Sequence, residues 1–233
     1  MTSLEMINEF YVLLDTEHEN FKKGERPESH IVLQYLNIAQ VRYLKEIYFK
    51  DTIDIVASDI SNELQNLINR ELVSCTRETA TGGPYENLIY YINLSSLSDT
   101  FLFYIRSDSL VTRTDINICT GDWVPNKLIK RSDIDKYIDT FYNKPIILNP
   151  LVFFENNGGS LRMNILHDSY TTLTTTSGVN VEYIKEPAGM TVSQDCELPL
   201  HLHEAIVKFA ADIYVIEYKL KLVSNQQRPD KKE

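Results

Sequence analysis

Six apolar residues near the C-terminal end, Leu202, Ile206, Phe209, Ile213, Ile216 and Leu220, recur at spacings of 4, 3, 4, 3 and 4. That rhythm constrains the chain more than any other feature, because it puts one apolar stripe on one face of a long helix. Glu204, Lys208 and Asp212 follow the opposite face at successive i, i+4 positions. Removing six such side chains from water is worth on the order of 10 kcal/mol gross, so the stripe needs a partner.

Partners are written into the first 73 residues. Thr2 and Glu5 have the spacing of a capping box, and Leu4, Ile7, Tyr11 and Leu14 follow at helical intervals. Gly24 and Pro27 break that helix. Ser29 is placed to cap a second, striped by Val32, Leu36, Ala39, Tyr43 and Ile47. A third helix is expected over about Asp54 to Leu72, with Ile53, Ile60, Leu64, Leu67 and Leu72 aligned. Its other face, Asp59, Asn62, Glu63, Asn66 and Asn69, is polar.

Between these helical ends the period changes. From Thr76 to Asp195 the chain runs in short β-branched and aromatic segments. Asn87–Leu94, Thr100–Arg106 and Leu110–Ile116 read as strands separated by Ser/Asp turns. Leu151–Glu155 and Leu161–His167 flank Asn156-Asn157-Gly158-Gly159, a strong hairpin signal. Val179, Val181 and Tyr183 alternate with polar residues. One short helix is expected over Ser132 to Tyr142, with Ile134, Ile138 and Phe141 in register. The Thr- and Ser-rich Ser169–Gly178 reads as an exposed, mobile tip. The expected fold is therefore α+β. A helical body of 1–75 and 196–233, three N-terminal helices plus the long C-terminal one, carries an inserted antiparallel β-rich domain of 76–195.

Charge and cysteine usage narrow the function classes. The 233 residues carry a net charge of −10 and a pI near 5.0, so phosphate is repelled at long range and sequence-specific nucleic-acid binding is not expected. Lys127, Lys130 and Arg131 form the densest interior basic cluster and read as a solvated loop. Arg228, Lys231 and Lys232 are balanced by Asp230 and Glu233. Cys75, Cys119 and Cys196 stand far apart without a CxxC pair, which suits a reducing cytoplasm. The only apolar run near the N-terminus is Phe10 to Leu14, so no signal peptide is expected. No stretch approaches the roughly 18 apolar residues of a membrane span.

No catalytic constellation is expected. Cys196, His201, His203 and Glu204 hold zinc-ligand residue types, yet His201 and His203 are two apart, about 200° round a helix, where HExxH places its pair at i, i+4. A helix start after Pro199 explains them better. His167-Asp168-Ser169 contains triad residue types, but neighbours on a strand point to opposite faces and cannot form a relay. Thr81-Gly82-Gly83-Pro84 lacks the Lys-Ser/Thr that grips phosphate, and GxSxG and GxGxxG are absent. The expectation is no enzyme activity, no metal and no cofactor.

Three segments carry a resemblance. Tyr35-Leu36-Asn37-Ile38-Ala39-Gln40 looks like an FLNxAQ signature. Val181-Glu182-Tyr183-Ile184-Lys185-Glu186-Pro187 is similar to a strand ending in YIKxP. Cys196-Glu197-Leu198-Pro199 followed by His203-Glu204-Ala205-Ile206-Val207 resembles an LP-led helix start. In this order the trio resembles the ring and head–tail adaptor proteins of the neck of crAss-like, Bacteroides-type tailed bacteriophages, over about residues 30 to 215. Tyr35 departs from the usual Phe, and Phe209-Ala210-Ala211 stands where Ala-Val is more usual. The resemblance implies a structural virion protein in a homo-oligomeric ring, about twelvefold, which heterologous contacts can close. It implies portal and adjacent neck or tail rings as partners, packaged double-stranded DNA passing without sequence-specific binding, and no membrane. Its place is the virion neck, assembled in the host bacterial cytoplasm. A podovirus-type tail-tube gatekeeper and a cellular protein-binding module are the alternative expectations.

Overall fold

The computed structural model describes residues 1–17, 26–54, 64–78, 88–113, 122–138, 145, 149–167, 171–173 and 178–226. The architecture is α+β, and the chain divides into two compact units. A helical unit takes Met1–Leu67 and Pro187–Glu233, and a sheet unit takes Ile68–Glu186 between them.

The helical unit contains α1 (Ser3–Glu17) and α2 (Ser29–Asp54) from the first segment, and a long helix, His203–Gln226, from the second. The expected capping box forms. The Thr2 N–H donates to Glu5 Oε2 at 2.7 Å and the Glu5 N–H to Thr2 Oγ1 at 3.3 Å, two otherwise orphan donors satisfied reciprocally. At α2 the first helical bonds go to the Glu28 carbonyl, from the Ile31 and Val32 N–H groups at 2.9 and 3.1 Å. Glu28 therefore occupies the cap position assigned to Ser29, which is the first helical residue. Met6, Ile7, Phe10 and Leu14 of α1 and Val32, Leu36, Ala39 and Leu44 of α2 are buried, while Leu4 is exposed.

The long C-terminal helix buries a different face from its large-residue stripe. Leu202, Ile206 and Ile213 are buried as expected, but Phe209 is only half-buried, and Ile216 and Leu220 are 59% and 64% exposed. The buried set includes His203, Val207, Ala210, Ala211 and Val215. Two successive alanines let neighbouring backbones approach closely, so the contact face turns towards them and away from Phe209. Phe10, Tyr35 and Tyr214 supply the aromatic centre. Tyr214 meets the ring of Tyr35 edge-on at 5.2 Å and that of Phe10 at 5.9 Å.

The sheet unit is two sheets face to face. The first orders β1 (Ile68–Val73), β10 (Val179–Lys185), β4 (Phe101–Arg113) and β5 (Asp122–Pro125), with β9 (Thr171–Leu173) also on β4. The second orders β2 (Thr76–Arg77), β3 (Ile89–Asn93), β8 (Ser160–Leu166), β7 (Leu151–Asn157) and β6 (Lys127–Leu128). Pairing is antiparallel except between β6 and β7. A shared core lies between the sheets, with Val111, Val179, Val181 and Tyr183 from one and Tyr90, Ile92, Val152, Met163 and Ile165 from the other. The outer side of the second sheet carries Leu151, Phe153 and Leu166, covered by Ile129 and by Ile134 of the short α3 (Ile134–Ile138).

Four sequence expectations are corrected here. Ile68–Leu72 is not the end of a third helix: it is β1, with Ile68–Val73 in antiparallel register against Ile184–Val179. Of the rest of that expected helix, Asp54 ends α2, Leu64 is helical and Gln65–Leu67 form a 3-10 turn, while residues 55–63 lie outside the described residues. Ser107-Asp108-Ser109 is no turn, since β4 runs unbroken through it. The buried hydroxyls are satisfied laterally: Ser107 Oγ lies 2.9 Å from the Tyr104 hydroxyl and accepts from Asn126 Nδ2 at 2.8 Å, and Ser109 Oγ donates to Asn126 Oδ1 at 2.9 Å. Thr171–Leu173, expected in a mobile tip, is β9, and Leu173 is buried opposite Val111. Finally, the expected divisions at 75/76 and 195/196 give way to 67/68 and 186/187, because β1 belongs to a sheet and Pro187–Asp195 is bonded to α1 and α2.

The hairpin signal holds. Gly158 and Gly159 have φ of 61° and 88°, a region few other residues enter cheaply, and the Gly159 N–H donates to Asn156 Oδ1 at 3.1 Å. The short helix begins at Ile134 after a 3-10 turn over Arg131–Asp133. Residues 139–144, including Phe141, lie outside the described residues.

Candidate functional site

The residue types that first suggest chemistry do not converge. Cys196 Sγ donates to Gln40 Oε1 at 3.4 Å. His203 is buried, and its Nε2 donates to the Leu198 carbonyl at 2.8 Å. His201 sits exposed on the 3-10 turn Leu200–Leu202, and Glu204 is exposed in the first turn of the helix His203–Gln226. Among the described residues no group of three His, Cys, Asp or Glu side chains could hold a metal ion. Burial pushes the Cys75 thiol up to about 11, and burial likewise raises Cys196, so neither is a ready thiolate. His167 is buried at the end of β8, its ring 4.9 Å from that of Tyr90. Asp168, Ser169, Cys119, Thr81-Gly82-Gly83-Pro84 and the Arg228/Lys231/Lys232 tail lie outside the described residues. The interior basic cluster is not one surface patch. Lys127 lies in β6 with its ammonium 5.0 Å from the Tyr137 ring centre, and Arg131 pairs with Glu155 at 2.7 Å.

What the structure does gather is a polar clamp built from two of the three resembling segments. Asn37, midway along α2, donates through Nδ2 to the Met190 carbonyl at 3.1 Å and accepts from the Met190 N–H at 2.7 Å. Its amide thus pairs with both polar groups of one residue's backbone, as a neighbouring strand does. Gln40, only 1% exposed, donates to the Ala188 carbonyl and to Asn37 Oδ1, each at 3.3 Å, and accepts from Cys196. Glu197 takes the Ala188 N–H at 3.0 Å. At the start of α1, Ser3 donates through its N–H to Asp195 Oδ1 and through Oγ to the Gln194 carbonyl, both at 2.7 Å. The segment Pro187–Glu197 has almost no regular structure of its own, so these side chains supply the partners that a ladder would supply elsewhere.

Tyr35, the departure from the usual Phe, has a use here: its hydroxyl donates to Glu217 Oε2 at 2.7 Å. Burial, and then that hydrogen bond to a carboxylate, push the phenol up to about 12. In the sheet unit Tyr183, from the second resembling segment, donates to Glu71 Oε1 at 2.7 Å and accepts from Asn69 Nδ2 at 3.3 Å. Burial and the Glu71 bond raise it also.

A second feature was invisible in the sequence. The outer face of the first sheet carries an open groove of about 680 Å³, lined by Arg70, Glu71, Leu72, Arg106, Asp108, Trp123 and Asn180. Asp108 lies 2.9 Å from Arg106 and 4.0 Å from Arg70, and Arg106 also reaches Glu182 at 3.5 Å. Arg70, Glu182 and Arg106 are aligned across three strands by the register. The acids hold the guanidinium groups in place. Reading Ile68–Leu72 as helix and Ser107–Ser109 as turn hid the alignment, since only strand pairing brings residues 70, 106 and 182 together.

No protein-family model matches the sequence, and no curated protein matches it.

Proposed function

We propose that the chain is a structural subunit of a tailed-phage neck, an adaptor ring between portal and tail that lets double-stranded DNA pass. The observation that supports this reading is the clamp. Asn37 and Gln40 of the first resembling segment hold the backbone of Met190 and Ala188, and Cys196 of the third donates to Gln40, so all three are engaged within the fold. Side chains spent in this way on the chain's own architecture fit a building subunit. Two units, each with its own exterior, offer the two different surfaces that a closed heterologous ring needs. The charge agrees: a ring of about twelve copies gathers about −120 (12 × 10), which repels phosphate and leaves passing DNA unbound.

The test is mass photometry of the purified chain with and without the portal protein of the same genome, over a salt series. The expected result is a portal complex gaining about twelve chains, with negligible duplex-DNA binding by the chain alone at physiological salt. A chain that never joins the portal at any salt, or one that binds DNA tightly by itself, overturns the reading in favour of a cellular binding module.

A further inference from the structure

The helix His203–Gln226, now α4, carries an apolar stripe that continues beyond the part covered by the described residues of its own unit. Leu202, Ile206 and Ile213 are buried, whereas Ile216 and Leu220, next on the same 4-and-3 rhythm, are 59% and 64% exposed. A spacing of 3.5 residues is the seam of two helices packed side by side. Asp212 and Lys219 flank Ile216 on the same edge of that exposed seam, four residues before it and three after.

The flanking charges select the occupant and its direction. In a parallel pairing of two α4 helices, Asp212 of one copy faces Glu217 of the other, a like-charge contact, and Glu217 is already held by Tyr35. In an antiparallel pairing the edge carrying Asp212 and Lys219 faces itself reversed, so Asp212 meets Lys219 of the second copy, and the contact occurs twice. We propose that the C-terminal half of α4 is a self-complementary docking surface for a second copy of this chain, paired antiparallel about a two-fold axis beside Ile216. Ile216 and Leu220 form the dry centre, and two Asp212–Lys219 pairs set direction and register. The contact is two helical turns long, well under the ~1,200 Å² of a standard interface. It therefore makes a weak dimer, with a dissociation constant on the order of 100 μM. This pairing goes beyond the ring reading and does not depend on it, since it concerns the free chain without a portal.

Sedimentation velocity of the full chain across low to high micromolar concentration tests it. Wild type should shift reversibly from monomer to dimer. Ile216→Glu, at an exposed position, should weaken association at least about tenfold while circular dichroism shows an unchanged helix content. Asp212→Lys and Lys219→Asp should each weaken it about five- to tenfold, since each sets like charges opposite one another twice. The double reversal Asp212→Lys/Lys219→Asp should return to within about twofold of wild type. A wild type that sediments as monomer throughout overturns the proposal, as does association unaffected by Ile216→Glu. A double reversal as weak as either single change overturns the antiparallel register.

Discussion

Replacing Asn37 by alanine isolates the clamp. The change removes both hydrogen bonds to Met190, at 2.7 and 3.1 Å, and one of the two that Gln40 Nε2 donates. Met190 is buried, so its N–H and carbonyl lose partners in a site water reaches poorly. Each stranded group costs about 1–1.5 kcal/mol, giving about 2–3 kcal/mol. Alanine is the better helix former in mid-helix, which returns up to about 0.7 kcal/mol. The net loss is about 2 kcal/mol. With a urea m-value near 2 kcal/mol/M for a unit of this size, the midpoint should fall by about 1 M. Asn37→Asp keeps the acceptor and loses the donor, so it should fall between wild type and alanine. Far-ultraviolet circular dichroism follows the helices, while the single tryptophan, Trp123 on β5, reports the sheet unit separately. If Asn37→Ala melts at or above the wild-type urea midpoint, helix propensity outweighs the hydrogen bonds and the clamp is not a stabilising element.

The same urea assay checks which face of α4 is inside. Ile206→Ala should cost about 2–4 kcal/mol as a full core truncation, Phe209→Ala about 1–2 because its ring is half in water, and Lys208→Ala under about 0.5; Phe209 costing more than Ile206 would restore the stripe read from the sequence. Tyr35 gives a pH signature. Its neutral phenol is favoured in the folded state, so that stability is complete below pH 10.0, the ordinary value, and is lost as pH rises through about 12. Urea midpoints of wild type and Tyr35→Phe should therefore converge across that window, and a constant gap up to pH 12 contradicts the Tyr35–Glu217 bond.

Local signals carried the elements that depend on local chemistry. The Thr2/Glu5 box, the α2 stripe through Val32, Leu36 and Ala39, and the Asn-Asn-Gly-Gly turn were legible because backbone demand and side-chain supply lie within four residues. What failed did so where distant residues decide. Ile68–Val73 follows a helical apolar pattern, yet β10 offers it a full ladder from more than a hundred residues away. Ser107-Asp108-Ser109 has the composition of a turn, and distant partners, the amide of Asn126 and the guanidinium of Arg70 among them, make it tolerable in a strand. On α4 the bulkiest residues suggested the buried face, whereas close approach at Ala210 and Ala211 set it. The clamp was only half legible: the segments containing Asn37, Gln40 and Cys196 stood out by resemblance, but nothing local says that an amide on α2 pairs with the backbone of Met190.

The divided helical unit also has a consequence for the order of events at the ribosome. Asn37 waits for Met190, 153 residues on, and Ser3 for Asp195, 192 residues on. The sheet unit, Ile68–Glu186, is one uninterrupted stretch, so all of it can emerge and fold while α1 and α2 still expose Phe10, Leu36 and their neighbours to solvent. Only when α4 is translated can those side chains be covered. At roughly 5–20 residues per second that interval lasts about 10–30 seconds, long enough for chaperones or other nascent chains to find the same apolar surface. A sheet unit folded early holds the two halves of the helical unit on a short tether, cutting the entropy cost of closing a loop this long. The inserted domain in that case serves its host first as a folding aid.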